Sequence, residues 1–125
     1  MMRLEEAVSQ YLQAKLNNKL YPQVLPQKVE LPAVAYTSVS IERLHALQKD
    51  TGFAKHRLQF VCYAKSLKQA LKTSEVIRSE LQDFIGVMAG INIGGVLIMS
   101  ETSDYENATG LYCVRLEFEF QYEEG

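Results

Sequence analysis

The chain has 125 residues, 47% of them apolar and 22% charged, and its 13 basic and 15 acidic residues give a net charge of −2. This length and composition fit one globular domain over residues 1–125, with a core that needs neither disulfides nor metals. The charge balance excludes the strongly basic surface typical of nucleic-acid-binding proteins. The N-terminus lacks the apolar stretch of a signal peptide, and no apolar run approaches the ~20 residues that span a bilayer. We therefore expect synthesis in the cytoplasm and no membrane partner.

The first half of the chain predicts a helix, an extended connector and two strands. Apolar residues at helical spacing predict a helix over residues 2–18, ended by an Asn-Asn pair. Three prolines make residues 20–32 an extended connector. β-branched and aromatic residues predict strands at 33–41 and 56–64. The polar segment between them, residues 42–55, is interpreted as a long mobile hairpin loop, which in a compact domain is usually functional or disordered.

The second half predicts a capped helix and further strands. Ser66 is expected to cap a helix over residues 66–84, and glycines separate short strands at 87–93 and 95–104. Strict alternation of apolar and charged residues predicts a last strand at 111–122. The expected fold class is α+β: an antiparallel or mixed β-sheet of four to five strands with two helices packed on one face, in the order α-β-β-α-β-β(-β).

No arrangement of residues predicts catalysis, a cofactor or a metal. His45 and His56 lie in the polar segment and at a strand start, away in sequence from any nucleophile with an activating neighbour. Cys62 and Cys113 each lie inside an apolar strand, so they are either buried reduced thiols or a disulfide between neighbouring strands. The glycine-rich stretch 86–95 lacks the Gly-Lys-Ser/Thr ending of a phosphate loop. We expect no enzyme.

The charged side of the last strand is the remaining feature with a functional interpretation. Its residues Arg115, Glu117 and Glu119 either form a plain solvated sheet face, or line a subunit contact, or line a negatively charged lumen. A negative lumen would let DNA slide without sticking, the converse of phosphate neutralisation.

Four short patterns, in this order, resemble the small tail completion proteins of long-tailed phages and prophages, which are related in fold to tail terminator proteins. The patterns are Tyr21–Gln27 (YPQVLPQ), Leu31–Tyr36 (LPAVAY), Arg57–Ala64 (RLQFVCYA) and Gly110–Phe118 (GLYCVRLEF). The resemblance covers residues 4–123. The chain departs from the family in having no tryptophan, and residues 42–55 match nothing in the pattern.

The resemblance implies a structural virion protein at the tail-to-head joint, present in the host cytoplasm during assembly. Such proteins form a homo-oligomeric ring, usually hexameric, at the head-proximal end of the tail tube. The ring caps tube polymerisation and docks to the head connector, and DNA passes through its bore without specific binding. Closed rings need two different contact patches on each subunit. The candidate patches are the segment 42–55 and the edge strands of the sheet. Candidate contact residues are Leu44, Leu47 and Phe53 in that segment and Tyr105 in a second predicted loop, residues 104–110, and local packing is the alternative for each.

An alternative interpretation is a cytosolic, non-catalytic module that holds a small ligand between the sheet and the helices. It requires a cavity in the apolar interior.

Overall fold

The computed structural model describes residues 3–45 and 50–123. In this part of the chain, two helices, α1 (Leu4–Gln13, continued by a 3-10 turn at Ala14–Leu16) and α2 (Leu67–Leu81), accompany one six-stranded sheet. The strands are β1 (Leu20–Pro22), β2 (Ala33–His45), β3 (Asp50–Ala64), β4 (Gly86–Met88), β5 (Ile91–Glu106) and β6 (Leu111–Glu123).

The strands lie in the order β1-β2-β3-β6-β5-β4. All neighbours are antiparallel except β1 and β2, which are parallel. The α+β class and the mixed sheet are confirmed, but the sheet has six strands rather than four to five. The sequence misses β1 because it is only three residues long and includes Pro22, a residue that strands accept mainly at an edge.

The interpretation of residues 42–55 as a long mobile loop is wrong for the residues that the structure describes. Residues 42–45 belong to β2 and residues 50–55 to β3, with Glu42 opposite Lys55 and Arg43 opposite Ala54; residues 46–49 lie outside the described residues. The helix-facing positions in this part of β3 are Ala54 and His56, both buried. Since neither residue type is typical of strands, the period-two pattern is invisible here.

The turn between β4 and β5 also differs from the prediction. It falls at Ala89–Gly90, both with positive φ, and not near residue 94. Gly94 and Gly95 instead lie within β5, where the register against β6 shifts as in a β-bulge. A Cβ atom at Gly94 would lie 3.4 Å from the Gln121 carbonyl oxygen, an ordinary contact distance, so the shape of β5 does not require glycine there.

One face of the sheet carries the core. Alternate residues of β3 and β6 point toward the helices, and the pattern of β6 is as the sequence predicts. The Ser66 side chain caps α2 by accepting a hydrogen bond from the Gln69 N–H (3.2 Å). The buried residues of α2 are Ala70, Ser74, Ile77 and Leu81, whereas Leu67 and Leu71 are about 40% exposed. The fully buried side chains include Leu58, Phe60, Ile77, Leu81, Leu116, Phe118 and Phe120.

Candidate assembly surface

The side of the sheet away from the helices is rich in charge, and its charged face is defined here by Lys55, Arg57, Asp104, Arg115, Glu117 and Glu119. The register places Arg57 opposite Glu119 and Gln59 opposite Glu117. Arg57 Nη1 lies 3.5 Å from Glu117 Oε2, and Arg57 Nε lies 3.8 Å from Glu119 Oε1. One arginine of β3 thus bridges two carboxylates of β6.

A second ion pair joins β6 to β5 on the same face. Arg115 Nη1 donates to Asp104 Oδ2 at 2.6 Å. This hydrogen bond raises the pKa of Arg115, so the guanidinium stays charged. Glu117 and Glu119 are only 20% and 13% exposed at their side chains because neighbouring strands flank them. The three sequence-predicted residues of β6 therefore lie on one face of the sheet in two separate ion-pair groups, and the face mixes both signs of charge.

The predicted loop contacts are not brought together. Phe53 lies at the start of β3 and is 52% exposed. Tyr105 lies near the end of β5, 50% exposed, with its ring 4.9 Å from that of Tyr112. Leu44 belongs to β2, and Leu47 lies outside the described residues. Tyr105 belongs to a strand and not to the predicted loop, because β5 continues to Glu106.

Phe53 and Tyr105 mark opposite ends of the sheet. Phe53 is opposite Glu123 at the end that carries the β2–β3 connection, which we call the hairpin end. Tyr105 is opposite Tyr112 beside the β5–β6 turn, which we call the turn end. An exposed aromatic side chain therefore stands at each end of the sheet.

The sequence does not predict the exposed apolar side chains that lie near the two edges of the sheet. Val39 on β2 and Met99 on β5 sit where the register shifts, so each is a bulge residue, and they are 49% and 41% exposed. Ile85 and Val87, beside and within β4, are 76% and 59% exposed. The only signal of these exposed positions in the sequence is an apolar residue that interrupts the alternation of a polar strand. These side chains are suited to contact with another protein surface.

The histidine and the thiols have structural surroundings. His56 is fully buried, with Nε2 2.6 Å from Ser38 Oγ and Nδ1 3.9 Å from Glu5 Oε1, so it links α1 to the β2–β3 hairpin. Cys62 and Cys113 are free, which contradicts the disulfide alternative. Burial raises the pKa of the Cys62 thiol to about 12, and burial followed by the nearby Glu106 raises the pKa of Cys113. Neither thiol is activated as a nucleophile.

Within the described residues, no three acidic, histidine or cysteine side chains are grouped so as to hold a metal ion. The helices of the described part of the chain are too short and too polar to cross a membrane.

No protein-family model matches this chain, and no curated protein matches it. Among solved structures, it is similar to a chain in the virion of a native gene transfer agent particle, with a TM-score of 0.69. The likeness covers 96% of this chain and 94% of that chain, at 18% sequence identity. The two chains share a fold. Because the likeness spans nearly the full length of both, it concerns the whole domain and not a common fragment.

Proposed function

We propose that this chain is a structural virion protein of a phage or prophage that forms a ring at the tail-to-head joint. The observation that carries the proposal is the fold, which is shared over nearly the whole length with a chain of a virion particle. The proposed position at the tail-to-head joint is supported by the ordered patterns around Tyr21, Leu31, Arg57 and Gly110, which resemble tail completion proteins. In this role the ring caps the tail tube and docks to the head connector, and the resemblance favours six copies.

The charged face suits the bore of such a ring. Helices cover the other face of the sheet. Because the outside of a curved sheet has more room than its inside, the bulky helices fit on the outside of the ring and the charged face turns toward the bore. The arginines Arg57 and Arg115 are engaged with carboxylates at 3.8 Å or less. Paired arginines are poor phosphate binders, since DNA would have to displace the carboxylates first. DNA would thus pass without being held.

The two ends of the sheet suit the two axial partners. Phe53 at the hairpin end and Tyr105 at the turn end are half-exposed aromatic side chains, the type enriched in protein interfaces. In the proposed ring, one end faces the tail tube protein and the other faces the head connector protein. Each aromatic residue would then serve one partner only.

The interior gives no support for the ligand-binding alternative. The space between helices and sheet is filled by a continuous cluster that includes Phe60, Phe118 and Phe120, each 0% exposed. The depression beside Phe53 and Gly94 is open to solvent at the hairpin end of the sheet. A second depression, between the end of α1, β2 and α2, is an open groove that reaches Leu16 and Val34 at the margin of the core and does not enter it.

Native mass spectrometry and negative-stain electron microscopy of the purified protein, alone and mixed with tail tubes, test this proposal. We expect rings that bind to one end of each tube. Phe53→Ala and Tyr105→Ala should leave ring formation intact, and one of the two should abolish binding to tubes. Leu71→Ala, a matched apolar truncation on the exposed side of α2, serves as control. A chain that stays monomeric and never associates with tail or connector components would contradict the proposal.

A further inference from the structure

The sheet has an open edge on each side. On β2, β1 pairs only with residues 34–36, and no strand of the described chain pairs with the outer side of Thr37–His45. On β5, β4 pairs only with Ile91–Ile93, and the Asp83 N–H donates to the Val96 carbonyl (3.0 Å). The stretch Leu97–Glu106 has β6 on one side and no described strand on the other. The two open stretches are similar in length, and exposed edges are templates for strand addition.

The covered part of the first edge is closed to further pairing. The Leu20 carbonyl of β1 accepts a hydrogen bond from Gln13 Nε2 (3.0 Å). Pro22 has no N–H, and its carbonyl accepts from the Val24 N–H (2.7 Å). A strand from another molecule therefore finds donors and acceptors on β2 beyond Thr37, and not on β1.

The directions of the two edges fit a repeating contact between copies. Since β2, β3, β6 and β5 are successively antiparallel, β2 and β5 run in opposite directions. When the next copy is placed beside the first in the same orientation, its β2 lies antiparallel to β5 of the first. The contact joins two different patches, as ring closure requires.

Side-chain direction restricts the register of this contact. Beyond the bulges, Ile41 and Arg43 point to the helix side, because they are opposite His56 and Ala54. On β5, Glu101 and Ser103 point to the same side, because they are opposite Leu116 and Val114. Only registers that keep equivalent faces together are allowed, so the choice moves in steps of two residues.

Charge selects among these registers. We propose that β5 of one copy pairs with β2 of the next with Glu101 opposite Arg43, so that Thr102 lies opposite Glu42. A shift of two residues one way places Asp104 opposite Glu42, two like charges on the charged face. The opposite shift places Glu101 against Ile41 and removes its pairing with Arg43. Opposite charges directly across a strand pair stabilise it and like charges destabilise it.

The inference rests on the proposed ring and adds its geometry. Ser40 is opposite Arg57, which is opposite Glu119, which is opposite Leu97. Ser40 and Leu97 of one copy therefore lie on one line across its strands. In the interface Ser40 would face Asp104, so each copy is displaced along the strands by roughly 20 Å relative to its neighbour, at about 3.4 Å per residue. Closed β-barrels require a stagger of this kind.

Paired cysteines test the register in the full chain. The native Cys62 and Cys113 are fully buried, so introduced surface thiols report alone. Under mild oxidation, Glu42→Cys with Thr102→Cys should give a ladder of linked chains up to the ring size. The matched pair Glu42→Cys with Ser100→Cys, two residues away on the same face, should link far less. Wild-type rings in which neither pair links, or in which the control pair links better, would overturn the register and leave the ring standing. Wild-type monomers would overturn both.

A charge exchange gives a second readout. Arg43→Glu and Glu101→Lys should each lower the ring fraction at fixed concentration roughly tenfold, since each sets like charges opposite each other at every contact. The double variant should restore it. Glu6→Lys, the same charge change on the outer side of α1, should have no effect. Equal losses in single and double variants would contradict the pairing.

Discussion

Cys62 shows how burial decides the behaviour of a reactive residue type. Cys62 lies in the core, opposite Val34 of β2 and Val114 of β6. Burial raises the pKa of its thiol to about 12. A thiol whose pKa is raised on folding supports the folded state fully below its unfolded pKa of 9.0. Above that pH the unfolded chain loses its proton while the folded chain keeps it, so stability falls as pH rises toward 12.

This effect predicts a measurable alkaline instability. Between pH 8 and pH 10 the wild-type free energy of unfolding should fall by about 1.4 kcal/mol more than that of Cys62→Val. Urea denaturation of both proteins, under reducing conditions, measures the difference. Because Cys62→Val keeps every tyrosine and lysine, the comparison cancels the effect of their titration on stability. Parallel pH profiles would mean that Cys62 does not stay protonated in the folded state.

Among the elements, the sequence predicts most securely those with one buried and one solvated side. The alternation along β6 and the Ser66 cap of α2 are sufficient to predict both elements. The β2–β3 hairpin is missed beyond residue 41 because Ala54 and His56 take core positions that strand-forming residues usually fill. The assembly surface is predicted only in part. Arg115, Glu117 and Glu119 converge, whereas the bulge residues Val39 and Met99 depend on a pairing register that no local pattern encodes.

The β4–β5 turn offers a direct test at the scale of an element. Gly90 has φ +87° and open space where an added methyl group would lie, so Gly90→Ala should cost about 1 kcal/mol through backbone strain alone. Gly95→Ala should cost less, since Gly95 has no positive φ and the new methyl group would meet only Gln121 Oε1 at 3.9 Å. Urea denaturation compares the two. Equal losses would contradict a turn at Ala89–Gly90.

For the whole molecule, the fold separates three tasks. The helix-covered side of the sheet holds the core, the charged face has its arginines engaged by carboxylates, and the two open edges remain for neighbours. In the part of the chain that the structure describes, each edge of the sheet is covered over three residues only. Such edges favour a role in an assembly over an isolated one, because an uncovered edge is otherwise a liability. The proposed ring uses all three surfaces.

The position of the chain in the particle tests this account most directly. Cryo-electron microscopy of particles from the producing strain should show this fold as a single ring between the tail tube and the head connector, with the charged face toward the DNA. A chain that is absent from the particles, that repeats along the tube, or that lies in the head shell would contradict the account.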